Sequence, residues 1–507
     1  MATIQFLLAH HAQYRPQHTA LIFQDQRWTY REVSHEVNRY IHAFQALGVQ
    51  SGSRIATLLP NCPALYFTYL ACAQMGAVCV PNSPMLRGTG LVNLLNDAQP
   101  QVLLSTLGLC PHVDEVRHVL SCPHYWLVDG AAKGWLKGEN VLDEQMTLTP
   151  KCIEVQGSDP YNIMYSSGTT GLPKGIVISH EVRFLYGSLF ANFFRMTPES
   201  VVMHSGSIVF NGAFLTLMPA LFLGCTYVLM DHFDPEEVIA TIQTQQVTHT
   251  ILVPSQLIHC LEKSTFERTH LPSLQYVLSV GAPLLIEQKN DLQNRIPGIF
   301  YELYGLTEGF MTVLDKFDFA RKPNSVGTPP VGMELKIVDE AGGEVPPGTV
   351  GEIIGRGPLL MSGYHQQPEK TREALRDGWL YTGDLGYVDA DGFLFLSGRK
   401  KDLIISGGVN VYPIDLEEVI IQHPEVREVA VFGVPHPTWG ESPIAAVVLH
   451  FSAAITSEEI QHFANTRLEA RYQKIQNVWI VPELPRNVAG KIMKHILVTQ
   501  YTTTHEI

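Results

Sequence analysis

The sequence has little positive charge. Across 507 residues, 35 lysines and arginines stand against 49 aspartates and glutamates, which gives a formal net charge of −14. A chain with this balance lacks the broad basic surface that binds nucleic acid or anionic lipid. Residues 399–507 carry 10 basic and 12 acidic side chains, so most of the negative excess lies upstream. Any phosphate group must therefore be bound by a few local groups.

Closely spaced cysteine pairs are also missing. The eight cysteines include no C-x-x-C pair, and most have apolar neighbours, as around Cys79. This pattern predicts buried, reduced cysteines in a cytoplasmic protein rather than a disulfide framework or a zinc site. The cysteines are Cys62, Cys72, Cys79, Cys110, Cys122, Cys152, Cys225 and Cys260.

No segment predicts export or a membrane span. The N-terminal residues lack a basic flank, and their apolar run is too short for a signal peptide. The stretch Ser205–Met230 carries no charge, but Asn211, Pro219 and a turn at Gly224 interrupt it. We predict a buried helix followed by the core strand Tyr227–Met230 rather than a transmembrane helix.

The pattern along the chain predicts several folding units. Domains of roughly 100–200 residues would divide the chain into two to four units. In the first 300 residues, short apolar runs such as Arg54–Leu59 alternate with helical patterns such as Pro63–Gln74, as in buried parallel sheets. From about Pro329, strands punctuated by Gly and Pro predict an antiparallel subdomain. The polar stretch Ser397–Asp402 predicts a linker, and about 100 residues of compact α+β domain follow it. In that domain we predict helices Ile414–His423 and Ser457–Glu469 and strands Val426–Val434 and Ile444–Leu449.

The segment Tyr165–Gly175, YSSGTTGLPKG, has the densest set of groups that can bind phosphate. Backbone N–H groups, hydroxyls and the Lys174 ammonium can all approach phosphate oxygens in such a loop. Neither a G-x-x-x-x-G-K-[ST] nor a G-x-G-x-x-G spacing is present. A flexible surface loop is the alternative. The apolar strand patterns on both sides, and a lysine between Pro173 and Gly175, favour a phosphate loop.

Four other positions are candidates for a nucleotide site. The run Tyr304–Glu308, YGLTE, supplies an aromatic ring, a hydroxyl and a carboxylate, which suit an adenine, an α-phosphate and Mg²⁺; a helix N-cap at its end is an equally good interpretation. Asp384 can accept two hydrogen bonds from a ribose, although the residues alone favour an Asx turn. Arg399 can donate to the same sugar, or belong to a solvated charged run. Lys491, in a polar loop, is by itself an ordinary solvated lysine.

Together these motifs resemble those of the adenylate-forming superfamily, which comprises acyl-CoA synthetases, luciferases and the adenylation domains of peptide synthetases. The loop Tyr165–Gly175 is similar to the superfamily's phosphate loop. The other signatures follow in the superfamily's order between about residues 10 and 495. They are Tyr304–Glu308, Tyr381–Asp384, Gly398–Asp402, Ser406–Pro413 and Asn487–Ile492.

The resemblance implies an α/β fold class with two domains. A large N-terminal domain with two parallel-rich α/β sheets and a small β subdomain would be followed by a small, mobile α+β C-terminal domain. The AMP- and acid-binding N-terminal domain would span residues 1–398, with the β subdomain at about 325–398. Residues 399–402 would form the hinge, and residues 403–507 the mobile domain.

The resemblance also implies an AMP-forming acyl-CoA ligase whose cofactors are ATP, Mg²⁺ and CoA. ATP would activate an uncharged carboxylic acid, fatty or aryl, to an acyl-adenylate with release of pyrophosphate. CoA would then take the acyl group and release AMP. The alternatives are an enzyme that loads a carrier-protein phosphopantetheine, a luciferase-like oxygenase, and a catalytically inactive nucleotide-binding protein. A homodimer and a carrier protein remain open as partners.

The resemblance assigns a role to each matching position. Lys491, Thr307 and Glu308 would be catalytic, with Glu308 also the metal ligand. The small domain would rotate between the two half-reactions about the hinge residue Lys401, so that Lys491 leaves and a face formed by Ser406, Gly407 and Gly408 enters for the CoA step. The nucleotide would be bound by Ser166, Ser167, Gly168, Thr169, Thr170, Gly171, Lys174, Gly281, Ala282, Tyr304, Gly305, Asp384 and Arg399.

The predicted acid pocket departs from the superfamily's pattern. Members that take aryl or fatty acids often have an aromatic–histidine pair before Asn-Gly, whereas here Val209 and its apolar neighbours precede Asn211 and Gly212. Either His204 or Val209 can fill this gate position. The pocket segments are small or apolar, with no Asp or Arg placed to pair with an ammonium or a second carboxylate. They predict an uncharged acid.

Overall fold

The computed structural model describes residues 3–142, 150, 154–166, 174–451, 453, 455–468, 470–486 and 491–505. The chain divides into two compact units by its internal contacts. The first comprises Met1–Glu334 and Gly355–Leu380, and the second comprises Leu335–Ile354 and Tyr381–Ile507. The predicted role of residues 399–402 as a hinge describes a movement of the C-terminal domain, so it stays a prediction.

Helices and strands alternate through most of the first unit, as the sequence pattern predicts. Up to residue 142 the elements are α1 (Leu7–Tyr14), β1 (Thr19–Phe23), β2 (Gln26–Thr29), α2 (Tyr30–Ala46), β3 (Arg54–Leu58), α3 (Pro63–Met75), β4 (Val78–Asn82), α4 (Gly88–Ala98), β5 (Val102–Ser105), α5 (Cys110–Asp114), β6 (His124–Leu127), β7 (Leu136–Lys137) and α6 (Gly138–Val141). Up to residue 314 they are β8 (Pro160–Ser166), β9 (Lys174–Ser179), α7 (His180–Phe193), β10 (Val201–His204), α8 (Phe214–Leu223), β11 (Thr226–Leu229), α9 (Pro235–Gln245), β12 (His249–Leu252), α10 (Pro254–Leu261), β13 (Tyr276–Val280), α11 (Ile286–Arg295), β14 (Phe300–Gly305) and β15 (Met311–Leu314).

Beyond residue 314 strands predominate before the last helices. These elements are β16 (Glu334–Val338), β17 (Gly351–Arg356), β18 (Gly363–Tyr364), α12 (Pro368–Ala374), β19 (Leu375–Arg376), β20 (Trp379–Val388), β21 (Leu394–Arg399), β22 (Ile404–Ser406), β23 (Val409–Val411), α13 (Pro413–Ile420), β24 (Val426–His436), β25 (Gly440–Leu449), α14 (Ser457–Arg467), β26 (Asn477–Ile480) and α15 (Lys494–Thr504). Short 3₁₀ turns cover Arg117–Val119, Asn211–Ala213, Lys400–Asp402 and Arg471–Gln473.

Two eight-stranded sheets, both rich in parallel pairs, form the body of the first unit. One has the strand order β15-β14-β13-β12-β10-β11-β1-β2, and the other has the order β18-β9-β8-β4-β3-β5-β6-β7. In the first sheet β10, β11, β12, β13 and β14 run parallel, and in the second β8, β4, β3, β5 and β6 do. Antiparallel pairs join β15 to β14 and β2 to β1 in the first sheet, and β9 to both β8 and β18 in the second. The predicted α/β fold class is confirmed.

The charge-free stretch near residue 220 is a helix followed by a strand, as predicted. Helix α8 contains Pro219, and Gly224 ends it with φ 77° before β11 begins. Among the described residues, no helix combines the length and apolarity needed to cross a bilayer. The seven cysteines in the described ranges are free; five of them are buried, as predicted, whereas Cys62 and Cys122 are only partly buried, and Cys152 lies outside those ranges.

Helix α1 and the residue that follows it, Arg15, supply side chains that bind the C-terminal end of α8. His11 Nε2 lies 2.9 Å from the Leu221 carbonyl oxygen, and Arg15 Nη1 donates to the Gly224 carbonyl at 2.9 Å. The last carbonyls of a helix have no partner within the helix, and positive charge is favourable at this end. Two side chains more than 200 residues away in the chain therefore cap α8.

The C-terminal part of the second unit has a sheet with an apolar core on each face. Its strand order is β23-β22-β25-β24, with β26 parallel to β25. Alternate residues of a strand point to opposite faces. Val431 of β24 therefore packs in a cluster with α13 and α14, whereas its neighbour Phe432 packs in a cluster with Tyr501 of α15. The predicted helices and strands of this domain occur within a few residues of their expected bounds.

His249 links the stability of the first unit to pH. Its imidazole is 2% exposed, Nε2 lies 3.0 Å from the Phe194 carbonyl, and burial lowers its pKa to about 4. In the unfolded chain a histidine has a pKa of about 6.5. The neutral ring therefore contributes stability above that pH, and the contribution disappears as the pH falls toward 4.

We expect His249→Gln, which does not titrate, to reduce the loss of stability in acid. The check is the thermal unfolding midpoint of both proteins across the interval from about pH 7 to 4, which spans the unfolded and folded pKa values. The midpoint of the native protein should fall more steeply. Equal falls would show that His249 contributes nothing to acid sensitivity.

Candidate active site

The carboxyl ends of two neighbouring parallel strands bring four of the predicted nucleotide-binding residues to one edge. Strands β13 and β14 pair in parallel with Val280 opposite Leu303. Gly281 and Ala282, both exposed, follow β13, while Tyr304 and Gly305 end β14. Ligands of open α/β sheets bind outside the carboxyl ends of the strands. This edge can therefore receive an adenine beside the half-buried Tyr304 ring.

Thr307 and Glu308 lie in the tight turn between β14 and β15, so the alternative of a helix N-cap is wrong. The Leu306 N–H donates to the Phe310 carbonyl at 3.0 Å, and the Gly309 N–H to the Leu306 carbonyl at 3.0 Å. Gly309 has φ 110°, and a Cβ at this position would lie 2.0 Å from the Leu359 carbonyl oxygen. Only glycine fits here. The turn leaves the Glu308 carboxylate partly exposed at the edge described above.

The predicted phosphate loop connects two antiparallel strands. Strands β8 and β9 pair with Ser166 opposite Lys174 and Tyr165 opposite Gly175, so the loop is the connection of a hairpin. The Tyr165 hydroxyl donates to the carboxylate of Asp97 in α4. Predicted residues Ser167, Gly168, Thr169, Thr170 and Gly171 lie outside the described ranges.

Tyr364 of β18 contacts two of the predicted site residues. Its hydroxyl donates to Glu308 Oε1 at 3.0 Å, and Lys174 Nζ lies 5.3 Å from the centroid of its ring. Burial, together with the Glu308 carboxylate, raises the pKa of Tyr364, so the hydroxyl keeps its proton and donates. Sequence analysis did not single out Tyr364, because no motif marks it and 56 residues separate it from Glu308.

The Glu308 carboxylate suits a magnesium ion bound together with substrate phosphates. Mg²⁺ is usually held by one or two carboxylates and by phosphate oxygens. Within the described part of the chain Glu308 forms no ion pair, and Tyr364 is its side-chain hydrogen-bond donor. The carboxylate is therefore able to act as a metal ligand.

The predicted acid-pocket residue Asn211 is bound by a buried arginine. Arg183 of α7 is 0% exposed, and its Nη2 donates to Asn211 Oδ1 at 2.9 Å and to Asn162 Oδ1 at 3.3 Å. Its guanidinium carbon lies 3.9 Å from the centroid of the Phe214 ring. Burial lowers the pKa of Arg183 to about 10, so it remains charged at neutral pH. Sequence analysis missed this residue, because it lies on a helix outside every motif.

The two candidates for the gate position, His204 and Val209, are both buried. His204 ends β10, and burial lowers its pKa to about 4, so its imidazole is neutral at physiological pH. Val209 is 3% exposed and lies two residues before Asn211. Gly212 shares the 3₁₀ turn with Asn211. The choice between His204 and Val209 stays open.

In the second unit, Asp384 and Arg399 face each other across paired strands. They are opposite residues of β20 and β21, and Arg399 Nε lies 3.2 Å from Asp384 Oδ1. The Asp384 side chain is 9% exposed and that of Arg399 is 44% exposed. Asp384 lies inside a strand, although the residues alone favoured an Asx turn. The contact allows both side chains to bind one polyhydroxyl group.

The remaining predicted residues of the second unit lie in a 3₁₀ turn, at a strand end and in loops. Lys401 lies in the turn Lys400–Asp402, and partial burial lowers its pKa. Ser406 ends β22, and Gly407 and Gly408, with φ 61° and 79°, connect it to β23. Positive φ at both positions is typical of a type I′ hairpin turn. Lys491 is exposed and directly precedes Ile492, which is bridged to Arg486.

Comparison with known proteins identifies the class to which this fold and these residues belong. A family model described as "AMP-binding enzyme" matches residues 8–365, and one described as "AMP-binding enzyme C-terminal domain" matches residues 415–491. An indoleacetate–CoA ligase of Aromatoleum aromaticum is 31% identical, with 96% of this chain and 95% of the relative aligned. A long-chain-fatty-acid–CoA ligase of Bacillus subtilis is 30% identical, with 100% and 96% aligned.

A solved structure agrees with these relatives. The anthranilate CoA ligase in complex with anthranoyl-AMP superposes with a TM-score of 0.90 at 26% identity, covering 100% of this chain and 98% of that one. The fold and the family match thus define an adenylate-forming enzyme. The chain belongs to the AMP-binding enzyme family. Its named relatives are AMP-forming carboxylic acid–CoA ligases, which confirms the predicted class of enzyme.

Arg183→Met tests whether the buried guanidinium orients Asn211. The substitution keeps an apolar stem but leaves the oxygens of Asn162 and Asn211 without this donor, which should lower the free energy of unfolding by about 1–3 kcal/mol. The KM for the acid should rise, while the KM for ATP should not change. Denaturant unfolding and steady-state kinetics measure both effects.

Arg321→Met is the matched control, because the Arg321 side chain is 59% exposed and paired with Asp318. Its effect on stability should stay within about 0.5 kcal/mol. A loss of stability in Arg183→Met without any change in the KM for the acid would limit Arg183 to a structural role.

Proposed function

We propose that this protein ligates an uncharged carboxylic acid, fatty or aryl, to CoA with conversion of ATP to AMP and pyrophosphate. The observation that carries the proposal is the meeting of Lys174, Glu308 and Tyr364 at the edge where the phosphate-loop hairpin ends. A cation and a carboxylate that has no ion pair among the described residues suit, at this place, a nucleoside triphosphate and its metal. The indoleacetate and long-chain fatty acid named for its relatives are uncharged apart from the reacting carboxylate.

The first half-reaction would form the acyl-adenylate. A carboxylate is a poor acyl donor, and attack of its oxygen on the α-phosphorus of ATP makes a mixed anhydride and releases pyrophosphate. Positioning and charge stabilisation supply most of the catalysis in such a step. Lys174 would bind the departing phosphates, and Thr307 would contact the α-phosphate. Lys491 would orient the attacking oxygen and offset charge at the phosphorus.

Glu308 would hold the metal, and Asp384 with Arg399 would bind the ribose. When bound, Mg²⁺ neutralises part of the triphosphate charge. The roles of Asp384 and Arg399 rest on the superfamily resemblance and are supported by their contact at 3.2 Å.

The second half-reaction would transfer the acyl group to CoA and release AMP. The thiol sulfur attacks the acyl carbon, and the anhydride bond to AMP breaks. The turn Ser406–Gly408 would serve this step, since its two glycines expose backbone to an incoming chain. A carrier-protein phosphopantetheine is the alternative acceptor. The free described cysteines support a reducing, cytoplasmic compartment.

An acid without a second charge fits the surroundings of Asn211. The Arg183 guanidinium is fully buried, and its hydrogen bonds to two asparagines already orient it. Val209 is apolar, and His204 is neutral at physiological pH. These surroundings favour an acid whose only charge is the reacting carboxylate, because a second carboxylate would have to be desolvated beside Val209 and the neutral His204.

The test is pyrophosphate release, with CoA absent and then present, across a panel of aryl, short, medium and long carboxylic acids. We expect release with one or more monocarboxylic acids and little with their dicarboxylic or amino-acid analogues. Thioester formation with CoA, but not with a phosphopantetheinylated carrier protein, should follow. No release with any acid would refute the proposed function. A preference for the carrier protein would show that its phosphopantetheine, rather than CoA, is the acyl acceptor.

Lys491→Ala should separate the half-reactions. We expect it to abolish acid-dependent pyrophosphate release but to retain thioester formation from supplied acyl-adenylate, because its charge would act only while negative charge builds at the phosphorus. Lys494→Ala is the control, since the Lys494 ammonium is paired with Glu417 Oε1 at 2.7 Å. Equal loss of both half-reactions in Lys491→Ala would contradict the assigned role.

A further inference from the structure

The segment Met361–His365 connects the phosphate-loop hairpin to the turn that carries Glu308. Within it β18 pairs antiparallel with β9, with Tyr364 opposite Ile176. The His365 N–H donates to the Gly175 carbonyl at 2.6 Å, and the Met361 N–H donates to the Glu308 carbonyl at 2.8 Å. Backbone hydrogen bonds at both ends therefore fix the position of Tyr364 relative to Lys174 and Glu308.

The Tyr364 side chain lies between a cation and a carboxylate of the predicted site. Its hydroxyl binds Glu308 Oε1 at 3.0 Å, and its ring lies 5.3 Å from Lys174 Nζ. The side chain is well packed, since Tyr364 is only 9% exposed. Lys174 and Glu308 form no ion pair with each other in the described part of the chain, although both contact the same tyrosine.

This arrangement has an electrostatic consequence. A direct Lys–Glu ion pair would neutralise both charges and make them less available to a nucleotide and its metal. A phenol interacts with each of them separately, through the ring face with the ammonium and through the hydroxyl with the carboxylate. The hydroxyl contacts Oε1, and among the described residues no hydrogen bond or ion pair involves Oε2, which can act as a ligand atom.

We infer that Tyr364 is a positioning residue, which keeps the Lys174 ammonium and the Glu308 carboxylate apart and orients them toward the phosphates and metal of the nucleotide. This inference rests on the roles proposed above for Lys174 and Glu308. It assigns Tyr364 no contact with the acid or with the reacting atoms.

The two contacts can be removed one at a time. Tyr364→Phe keeps the ring and removes the hydrogen bond to Glu308, so the Mg²⁺ concentration that half-saturates ATP binding should rise about tenfold, the lower limit for a hydrogen bond to a charged group. Metal-free ATP should bind Tyr364→Phe as it binds the native protein. Tyr364→Leu removes the ring as well, and metal-free ATP should then bind about threefold more weakly.

The measurement is calorimetric titration of ATP into the full-length protein without acid or CoA, with and without Mg²⁺, so no turnover is required. Thermal unfolding midpoints of all variants verify folding. Tyr276→Phe is the matched control, because Tyr276 is a buried tyrosine at the start of β13, the end opposite Gly281. It should leave the Mg²⁺ dependence unchanged.

Glu308→Gln distinguishes a failure of this inference from a failure of the proposed function. If Glu308→Gln raises the required Mg²⁺ concentration and Tyr364→Phe does not, Tyr364 has no positioning role and the metal role of Glu308 stands. If Glu308→Gln leaves the Mg²⁺ dependence unchanged, the metal role of Glu308 is wrong and the inference falls with it. Unaltered metal-free ATP binding in Tyr364→Leu would overturn the part that concerns Lys174.

Discussion

Strand β9 is hydrogen-bonded along both edges, and the arrangement of the candidate site in the first unit depends on this pairing. On one side it pairs with β8, which sets where the phosphate-loop hairpin begins and ends. On the other side it pairs with β18, which brings Tyr364 beside Lys174. The hydrogen bond from Met361 to Glu308 extends the same connected backbone to the turn after β14. Residues from three distant parts of the chain thus become one site through main-chain contacts.

Individual charged residues, rather than the net charge of the chain, determine the electrostatics of the candidate site. The net charge of −14 gives no general attraction for a polyanion. In the first unit, two cations near the candidate site contact neutral side chains instead. Lys174 faces an aromatic ring, and Arg183 is bound by two asparagines and stacked on Phe214. A neutral partner orients a cation without cancelling its charge.

Local sequence patterns predicted the helices and strands well, because turn residues and apolar periodicity can be recognised within short segments of the chain. The strands that flank the phosphate loop, the helix with Pro219 and the helices α13 and α14 occur within a few residues of their predicted positions. The register of the phosphate-loop hairpin and the turn at Glu308 could be determined only from the structure. A turn and a helix N-cap use the same residue types, so the sequence did not distinguish them.

Contacts between distant parts of the chain were not predictable from the residues alone. Tyr364 lies in a two-residue strand, which is too short to have a periodicity. Arg183 lies on a helix that no motif marks, and its role follows from Asn162 and Asn211, which reach it from a neighbouring strand and a 3₁₀ turn. Motif resemblance proposed most of the candidate residues, but it did not include those that orient them.

The binding of His11 and Arg15 to the end of α8 affects how the chain assembles. Their carbonyl acceptors lie more than 200 residues downstream, so helix α1 finds its partner only after most of the first unit has been synthesised. Before then the side chains that α1 buries in the folded protein have no native surface to pack against. Deletion of the first fifteen residues would remove both side chains from the end of α8 and disturb the unit that carries Lys174 and Glu308, although the deleted residues are far from them in sequence.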